Sequence, residues 1–154
     1  MHFQQKLRFW IPPLVWLAVI SFFSTDLFSS EHTGRVLRSL HLLRLLSQLE
    51  FDRIHFLIRE TAHLTEYAVL CLLFFRSWCC SSGKQLKTSW KWTWAACSVL
   101  MSMMMALIDE FHQTFVSSRS SSFRDVALDT MGALFSIVLI RMYVSKPDLL
   151  KWTT

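Results

Sequence analysis

A stripe of polar side chains interrupts an apolar stretch of the sequence at Arg59, Glu60, His63, Glu66 and Tyr67. On a helix these residues fall within about a third of the circumference, and Arg59, His63 and Tyr67 recur at i, i+4 spacing. A charge inside a membrane span costs about 2.5 to 3.5 kcal/mol on insertion scales, so it persists where partners or a wet cavity compensate it. The stripe therefore predicts a site that faces other protein and not lipid.

Two other polar groups interrupt apolar stretches further along the chain. Asp109, Glu110 and Gln113 share one edge of a helix, because they lie three and four residues apart. Asp125 and Asp129 likewise share one face, because they lie four residues apart. These polar edges are candidates to join the first stripe in one site.

The composition indicates which elements must position these residues. Hydrophobic residues make up 53% of the 154, with only 3 Gly and 3 Pro, which is typical of a helical membrane protein. The length allows one domain, residues 1–154, with about four spans of roughly 20 residues each. The sequence therefore predicts an all-α integral membrane four-helix bundle. Its spans are placed at about residues 7–28, 54–78, 90–115 and 126–144.

The segment between the first two spans, residues 36–51, repeats leucine near a helical period with arginine interspersed. This pattern predicts a short interfacial amphipathic helix. An ordinary short helix packed on the bundle is an alternative that fits the pattern equally well. Both place the segment at the membrane surface.

The distribution of basic residues favours a cytoplasmic N-terminus and a cytoplasmic C-terminus. The link of residues 79–91 holds three lysines and no acid, as inner loops do, whereas the opposite segments mix arginine with acids. The predicted location is the cell (inner or plasma) membrane, crossed several times. The formal net charge of +5 then follows from topology and anionic lipid. No nucleic-acid-binding motif accompanies it, so no nucleic-acid partner is expected.

This orientation brings the three polar groups to one level of the membrane. The second span descends from the outer face, the third returns to it, and the fourth descends again. We therefore expect the polar groups to converge in the outer leaflet. In the fourth span, Gly132 and Ser136 form a small-xxx-small pair that permits close helix packing. Ser122 stands where it could cap the start of that helix.

Taken together, these residues resemble the pattern of the VanZ-like family of small membrane proteins. That pattern is roughly R-K-x-x-H-x-x-x-Y-x-x-L in one span, D-E-x-x-Q at the end of the next, and a loop arginine and D-x-x-x-N-x-x-G before the last. The matching positions, in the same order between about residues 22 and 144, are Arg59, His63, Tyr67, Leu70, Asp109, Glu110, Gln113, Arg119, Asp125 and Gly132. Glu60 stands where the pattern has lysine and Asp129 where it has asparagine, which adds acidity to the site. The resemblance implies a cell-envelope protein related to those linked with low-level teicoplanin resistance.

The first interpretation is a binding or catalytic site at the outer face. His63 could act as a general acid or base, tuned by Asp109 or Glu110, because its intrinsic pKa lies near neutrality. Arg59 or Arg119 could hold an anionic group such as a lipid phosphate. The expected partners are membrane lipids, either a phospholipid or a lipid-linked cell-wall precursor. The candidate catalytic residues are His63, Asp109 and Glu110, and the candidate substrate-binding residues are Arg59, Glu66, Tyr67, Gln113, Arg119, Asp125 and Asp129.

Two other interpretations compete with this one. The acids and histidines could bind a metal ion, but no tight ligand signature supports it, so no metal ligand is assigned and no cofactor is identified. The ions could instead brace the bundle, in a scaffold or a partner subunit. The acids outnumber the arginines, which a self-neutralising brace would not need, so some carboxyls are expected to be protonated or to bind a cation. The residue types do not distinguish binding from catalysis.

Overall fold

The computed structural model describes residues 6–25, 48–115 and 122–145, and within these ranges the chain is helical with no strand. Four α-helices follow one another, joined between the second and third by a short 3₁₀ helix at Leu86–Thr88. We number them in chain order as α1 (Ile11–Phe23), α2 (Gln48–Ser81), α3 (Trp92–Gln113) and α4 (Phe123–Ser145). The predicted all-helical architecture is confirmed.

Three of these helices, α2, α3 and α4, are long and apolar enough to cross a membrane. Helix α1 has 13 residues, which corresponds to about 20 Å, less than the roughly 30 Å of a hydrocarbon core. It lies inside the predicted first span, 7–28, and its prolines occupy the first turn, where a missing N–H removes no helical bond. The described helices thus make the chain a multi-pass membrane protein.

Helix α2 is longer than its prediction, which placed the second span at 54–78. It begins at Gln48 and has 34 residues, about 51 Å, so it extends beyond the hydrocarbon core. The apolar spacing before residue 54 continues the helical period, and no proline or glycine interrupts it there. The predicted interfacial helix lies mostly on residues outside the described ranges, and its last residues, 48–51, belong to α2.

The end of α2 shows how the chain reverses towards α3. Gly83 has a φ of +70°, the left-handed conformation that glycine adopts without steric cost. The N–H of Gly83 donates to the Cys80 carbonyl and the N–H of Lys84 donates to the Cys79 carbonyl. This pair of bonds is a Schellman motif, which satisfies carbonyls that the helix end leaves free.

Side-chain contacts show that neighbouring helices run up and down. Trp10 at the start of α1 packs edge-on against Trp78 near the end of α2, with ring centroids 5.1 Å apart. At the same end of the bundle, Phe75 of α2 packs against Trp94 at the start of α3. Helices α2 and α4 run in the same direction, because Glu60 lies beside Arg124 and, one turn later on both helices, His63 lies beside Asp129.

The buried apolar side chains form two clusters along the bundle. The cluster nearer the link between α2 and α3 is built around Phe75, Trp94 and Ile137. The other is built around Ile20, Tyr67, Leu70, Phe74 and Ala106, so α1 contributes to it through Ile20. Tyr67 belongs both to this second cluster and to the polar stripe of α2, so the packing of the helices fixes the position of the stripe.

Candidate functional site

A polar contact between two spans joins His63 of α2 to Asp129 of α4. Nδ1 of His63 lies 3.4 Å from Oδ1 of Asp129, slightly beyond a well-formed hydrogen bond. The Asp129 side chain is fully buried, whereas the His63 side chain retains 14% of its exposure. The imidazole therefore turns one nitrogen towards the aspartate and has access to the surface of the bundle.

Gly132 allows this contact by letting α4 approach α2 closely. A Cβ placed on Gly132 would overlap the backbone of Leu64, coming within 3.0 Å of its carbonyl carbon. Real Cβ atoms almost never approach backbone so closely, so a larger residue at this position would separate the helices. Leu64 follows His63 and Gly132 lies one turn after Asp129, so the backbone contact sets the distance between the two side chains. The predicted packing role of Gly132 is confirmed.

The end of α3 meets the start of α4 through Glu110. Oε2 of Glu110 accepts a 2.8 Å hydrogen bond from the backbone N–H of Ser122. Oγ of Ser122 in turn accepts a 3.1 Å hydrogen bond from the backbone N–H of Arg124, which confirms the predicted cap. One turn from Glu110, the Gln113 amide donates to Oδ2 of Asp109 at 2.8 Å. These bonds hold the polar edge of α3 against the first turn of α4.

Five buried polar atoms in this region have no hydrogen-bond partner among the described residues. They are Nδ1 of His63, Oδ1 and Oδ2 of Asp129, the hydroxyl of Tyr67 and Oε1 of Glu110. Tyr67 is 1% exposed and Glu110 is 5% exposed. We call His63, Tyr67, Glu110 and Asp129 the polar cluster. Tyr67 is within electrostatic range of the carboxyls of Asp129, Glu110, Glu66 and Asp109, so members from all three spans lie near one another.

A separate ion pair lies at the rim of the cluster. Nη2 of Arg124 is 3.5 Å from Oε2 of Glu60, and the Arg124 side chain is 65% exposed. The same guanidinium stacks over the ring of Phe56 at 4.9 Å. This pair joins α4 to α2 near the surface, where solvent or headgroups screen it.

The remaining candidate residues differ in how closely they are associated with the polar cluster. Asp125 acts electrostatically on both His63 and Asp129, so it belongs to the same region. Gln113 is buried and bound to Asp109. Arg59 is half-buried and makes no hydrogen bond or ion pair with the described residues. Arg119 lies outside the described residues.

The sequence interpretation paired His63 with Asp109 or Glu110, whereas its contact in the structure is Asp129. It also overlooked Trp16 of α1, whose indole N–H donates to the Glu66 backbone carbonyl at 2.9 Å, next to Tyr67. A tryptophan in an apolar helix carries no local signal of such a bond, because the partner is 50 residues away. The hydrogen bond from Ser122 to Glu110 was not predicted for the same reason, because the two residues lie 12 positions apart.

The arrangement has identifiable chemical capacities. Asp129 beside Nδ1 can orient the imidazole of His63 and leave Nε2 to exchange a proton with a ligand. The carboxylates and the Tyr67 hydroxyl can accept hydrogen bonds from a bound ligand. Among the described residues, no group of three or more His, Cys, Asp or Glu side chains is arranged to hold a metal ion.

Helices that are long and apolar enough to span a membrane make the chain a multi-pass membrane protein, and a cluster of buried polar side chains lies between three of them. The family model described as VanZ/LLP1 matches residues 9–144, nearly the whole chain, and the chain belongs to this family. The polar groups of all three spans fall within the matched region. No curated protein and no solved structure matches the chain.

Proposed function

We propose that the polar cluster is a site at the extracytoplasmic face that binds or modifies a lipid component of the cell envelope, either a phospholipid or a lipid-linked cell-wall precursor. In this proposal the protein lies in the cytoplasmic membrane with both termini inside, and it contributes to resistance against teicoplanin-type glycopeptides. Membership of the VanZ/LLP1 family supports the envelope role.

The observation that carries the proposal is the set of buried polar atoms that have no hydrogen-bond partner among the described residues. More than nine in ten buried polar groups in proteins are hydrogen-bonded, because an unpaired one costs about 1 to 3 kcal/mol. Asp129 has two such oxygens although its side chain is fully buried, and the nearer one, Oδ1, lies 3.4 Å from Nδ1 of His63. A site that receives a ligand needs open acceptors, whereas helices that only brace one another would pair them.

The partial exposure of His63 supports a ligand-binding site more than a closed structural core. Its side chain is partly exposed while Asp129 behind it is not. A general acid or base must reach its substrate within hydrogen-bond distance, and a histidine at the edge of a buried cluster meets this requirement. Binding without chemistry requires the same exposure, so either role uses the pair in the same way.

The test is resistance of a susceptible bacterium that expresses the chain. We expect His63→Ala and Asp109→Asn to abolish the increase in the teicoplanin concentration needed to stop growth, since they remove the imidazole and one charge of the site. Arg124→Lys, at the exposed rim pair, serves as the matched control. The membrane content of each variant is measured by immunoblot. Wild-type resistance in both variants at equal expression would refute the proposal.

The alternative is a structural or partner subunit in which the polar residues only brace the bundle. The contacts that favour it are the Gly132 approach to Leu64 and the bonds from Glu110 and Glu60 to α4. A brace predicts that neutral substitutions weaken the fold, and a ligand site predicts that they do not. Measurement of unfolding free energy therefore separates the two.

A further inference from the structure

A small cleft opens beside the polar cluster, between the end of α3 and the start of α4. Its volume is about 260 Å³, and it is lined by Leu107, Glu110, Phe111, Thr114, Ser122, Phe123 and Val126. Ligand pockets for drug-sized molecules are usually about 300 to 1,000 Å³. The cleft is therefore large enough for a lipid headgroup or for a short part of an acyl chain.

The walls of the cleft combine apolar surface with one carboxyl group. Glu110 contributes the carboxyl, and one of its oxygens accepts the Ser122 N–H while the other has no partner among the described residues. Phe111 and Phe123 contribute aromatic rings, and both are exposed, Phe123 to 89%. A carboxyl beside aromatic rings is the combination that recognises an ammonium group, by charge-assisted hydrogen bonding and by attraction to the ring face.

The charged residues around the cleft also favour a cationic ligand. No basic side chain is among the described residues that line it. Two acids, Asp109 and Asp125, and one histidine, His63, are the charged neighbours of Glu110 among the described residues, so acids outnumber bases around it. The basic residue next to the cleft in sequence, Arg124, has its guanidinium over Phe56 and beside Glu60 of α2. Among the described residues that line the cleft, an anionic group would meet a carboxyl and no basic side chain.

The kind of atom left unpaired differs between the two ends of the bundle. Near the cleft the unpaired atoms include carboxylate oxygens of Glu110 and Asp129, which accept hydrogen bonds, and the Tyr67 hydroxyl and Nδ1 of His63, which can donate or accept. At the opposite end they include the indole N–H groups of Trp78 and Trp90, which donate. The unpaired oxygen of Glu110 at the cleft is an acceptor, so a ligand that meets it must supply a donor.

We infer that the cleft binds the primary ammonium headgroup of an aminophospholipid, with the headgroup at Glu110 and the start of the acyl region against Leu107, Phe111 and Val126. The inference rests on the proposed function, because it names the class of envelope lipid that the same site takes. It also reverses one expectation from the sequence, since the group that selects the lipid is its amine and not its phosphate.

The experiment uses the full chain in lipid nanodiscs that contain a trace of photoactivatable lipid. Three probes have the same diazirine-bearing chains: phosphatidylethanolamine, N-acetylated phosphatidylethanolamine, and phosphatidylglycerol. After illumination, mass spectrometry compares labelling of residues 107–126 with labelling of residues 92–104 on the same helix. This ratio corrects for the general exposure of apolar helix faces to lipid.

We expect phosphatidylethanolamine to label residues 107–126 roughly tenfold more than either other probe, as one charge-assisted hydrogen bond allows. Glu110→Gln should remove this preference while it keeps an oxygen for the Ser122 N–H. Phe123→Leu provides a second variant, which should reduce the preference without changing any charge. Glu60→Gln removes one acid outside the cleft and should leave the preference intact.

The other outcomes overturn the inference in distinguishable ways. Equal enrichment of all three probes at residues 107–126, or more phosphatidylglycerol, would show lipid binding without amine selection and would leave the proposed function standing. A preference that survives Glu110→Gln would also refute the inference. No enrichment of any probe over residues 92–104 would count against both the inference and the proposed lipid-binding function.

Discussion

Gly132→Ala should destabilise the protein, although alanine favours a helix. On propensity alone, alanine in place of glycine inside a helix stabilises by about 1 kcal/mol. Here the added Cβ would overlap the Leu64 backbone, which cannot rotate away as a flexible side chain would. Overpacking costs typically about 1 to 3 kcal/mol, and a backbone clash belongs at the upper end of that range. The expected result is a net loss of about 2 kcal/mol of unfolding free energy.

The assay is titration of the purified protein with sodium dodecyl sulfate in mixed micelles, followed by circular dichroism and tryptophan fluorescence. Gly83→Ala is the matched control, because a Cβ there meets nothing within 4 Å. Its cost comes only from the left-handed backbone and should be about 1 kcal/mol. The sign of the change in unfolding free energy caused by Gly132→Ala is the critical result. Unchanged or increased stability of Gly132→Ala would refute the close approach of α2 and α4.

The remaining predictions concern single hydrogen bonds and the rim ion pair, and the same titration measures all three. Ser122→Ala should cost about 1 kcal/mol, because it removes the cap on the Arg124 N–H, and Ser122→Asp should retain most of that stability. Trp16→Phe should cost about 1 kcal/mol, because it keeps the packing but loses the donor to the Glu66 carbonyl, and no change would contradict that bond. Arg124→Ala should cost under about 1 kcal/mol, because its pair with Glu60 is largely exposed, and a loss of 3 kcal/mol or more, on the order of a buried pair, would contradict the rim position.

Much of the fold was predictable because apolar length and helical spacing are local signals. The third and fourth spans, at 90–115 and 126–144, begin and end within a few residues of α3 and α4. The start of α2 was not predicted, because its first turns are polar and resemble a surface segment. The helix nevertheless continues through residues 48–54, because no proline or glycine there interrupts it.

The members of the site were predictable, but their pairing was not. Charged residues in apolar stretches are visible in any sequence, and helical spacing places His63 and Tyr67 on one face. Which acid contacts His63 depends on the rotation and separation of α2 and α4. That geometry is set by the Gly132 contact with Leu64, across 68 residues of chain. Long-range packing of this kind has no local signature.

The central claim is that the polar cluster is kept for a ligand and not for the fold, and the unfolding free energy of Asp129→Asn tests it most directly. Asparagine keeps the shape of the side chain and removes a carboxylate whose oxygens accept no hydrogen bond from the described residues. The account predicts unchanged or increased stability, as for functional sites that are strained in the native protein. A loss of about 3 kcal/mol or more, the cost of breaking a buried ion pair, would show that Asp129 and His63 brace the bundle and would contradict the account.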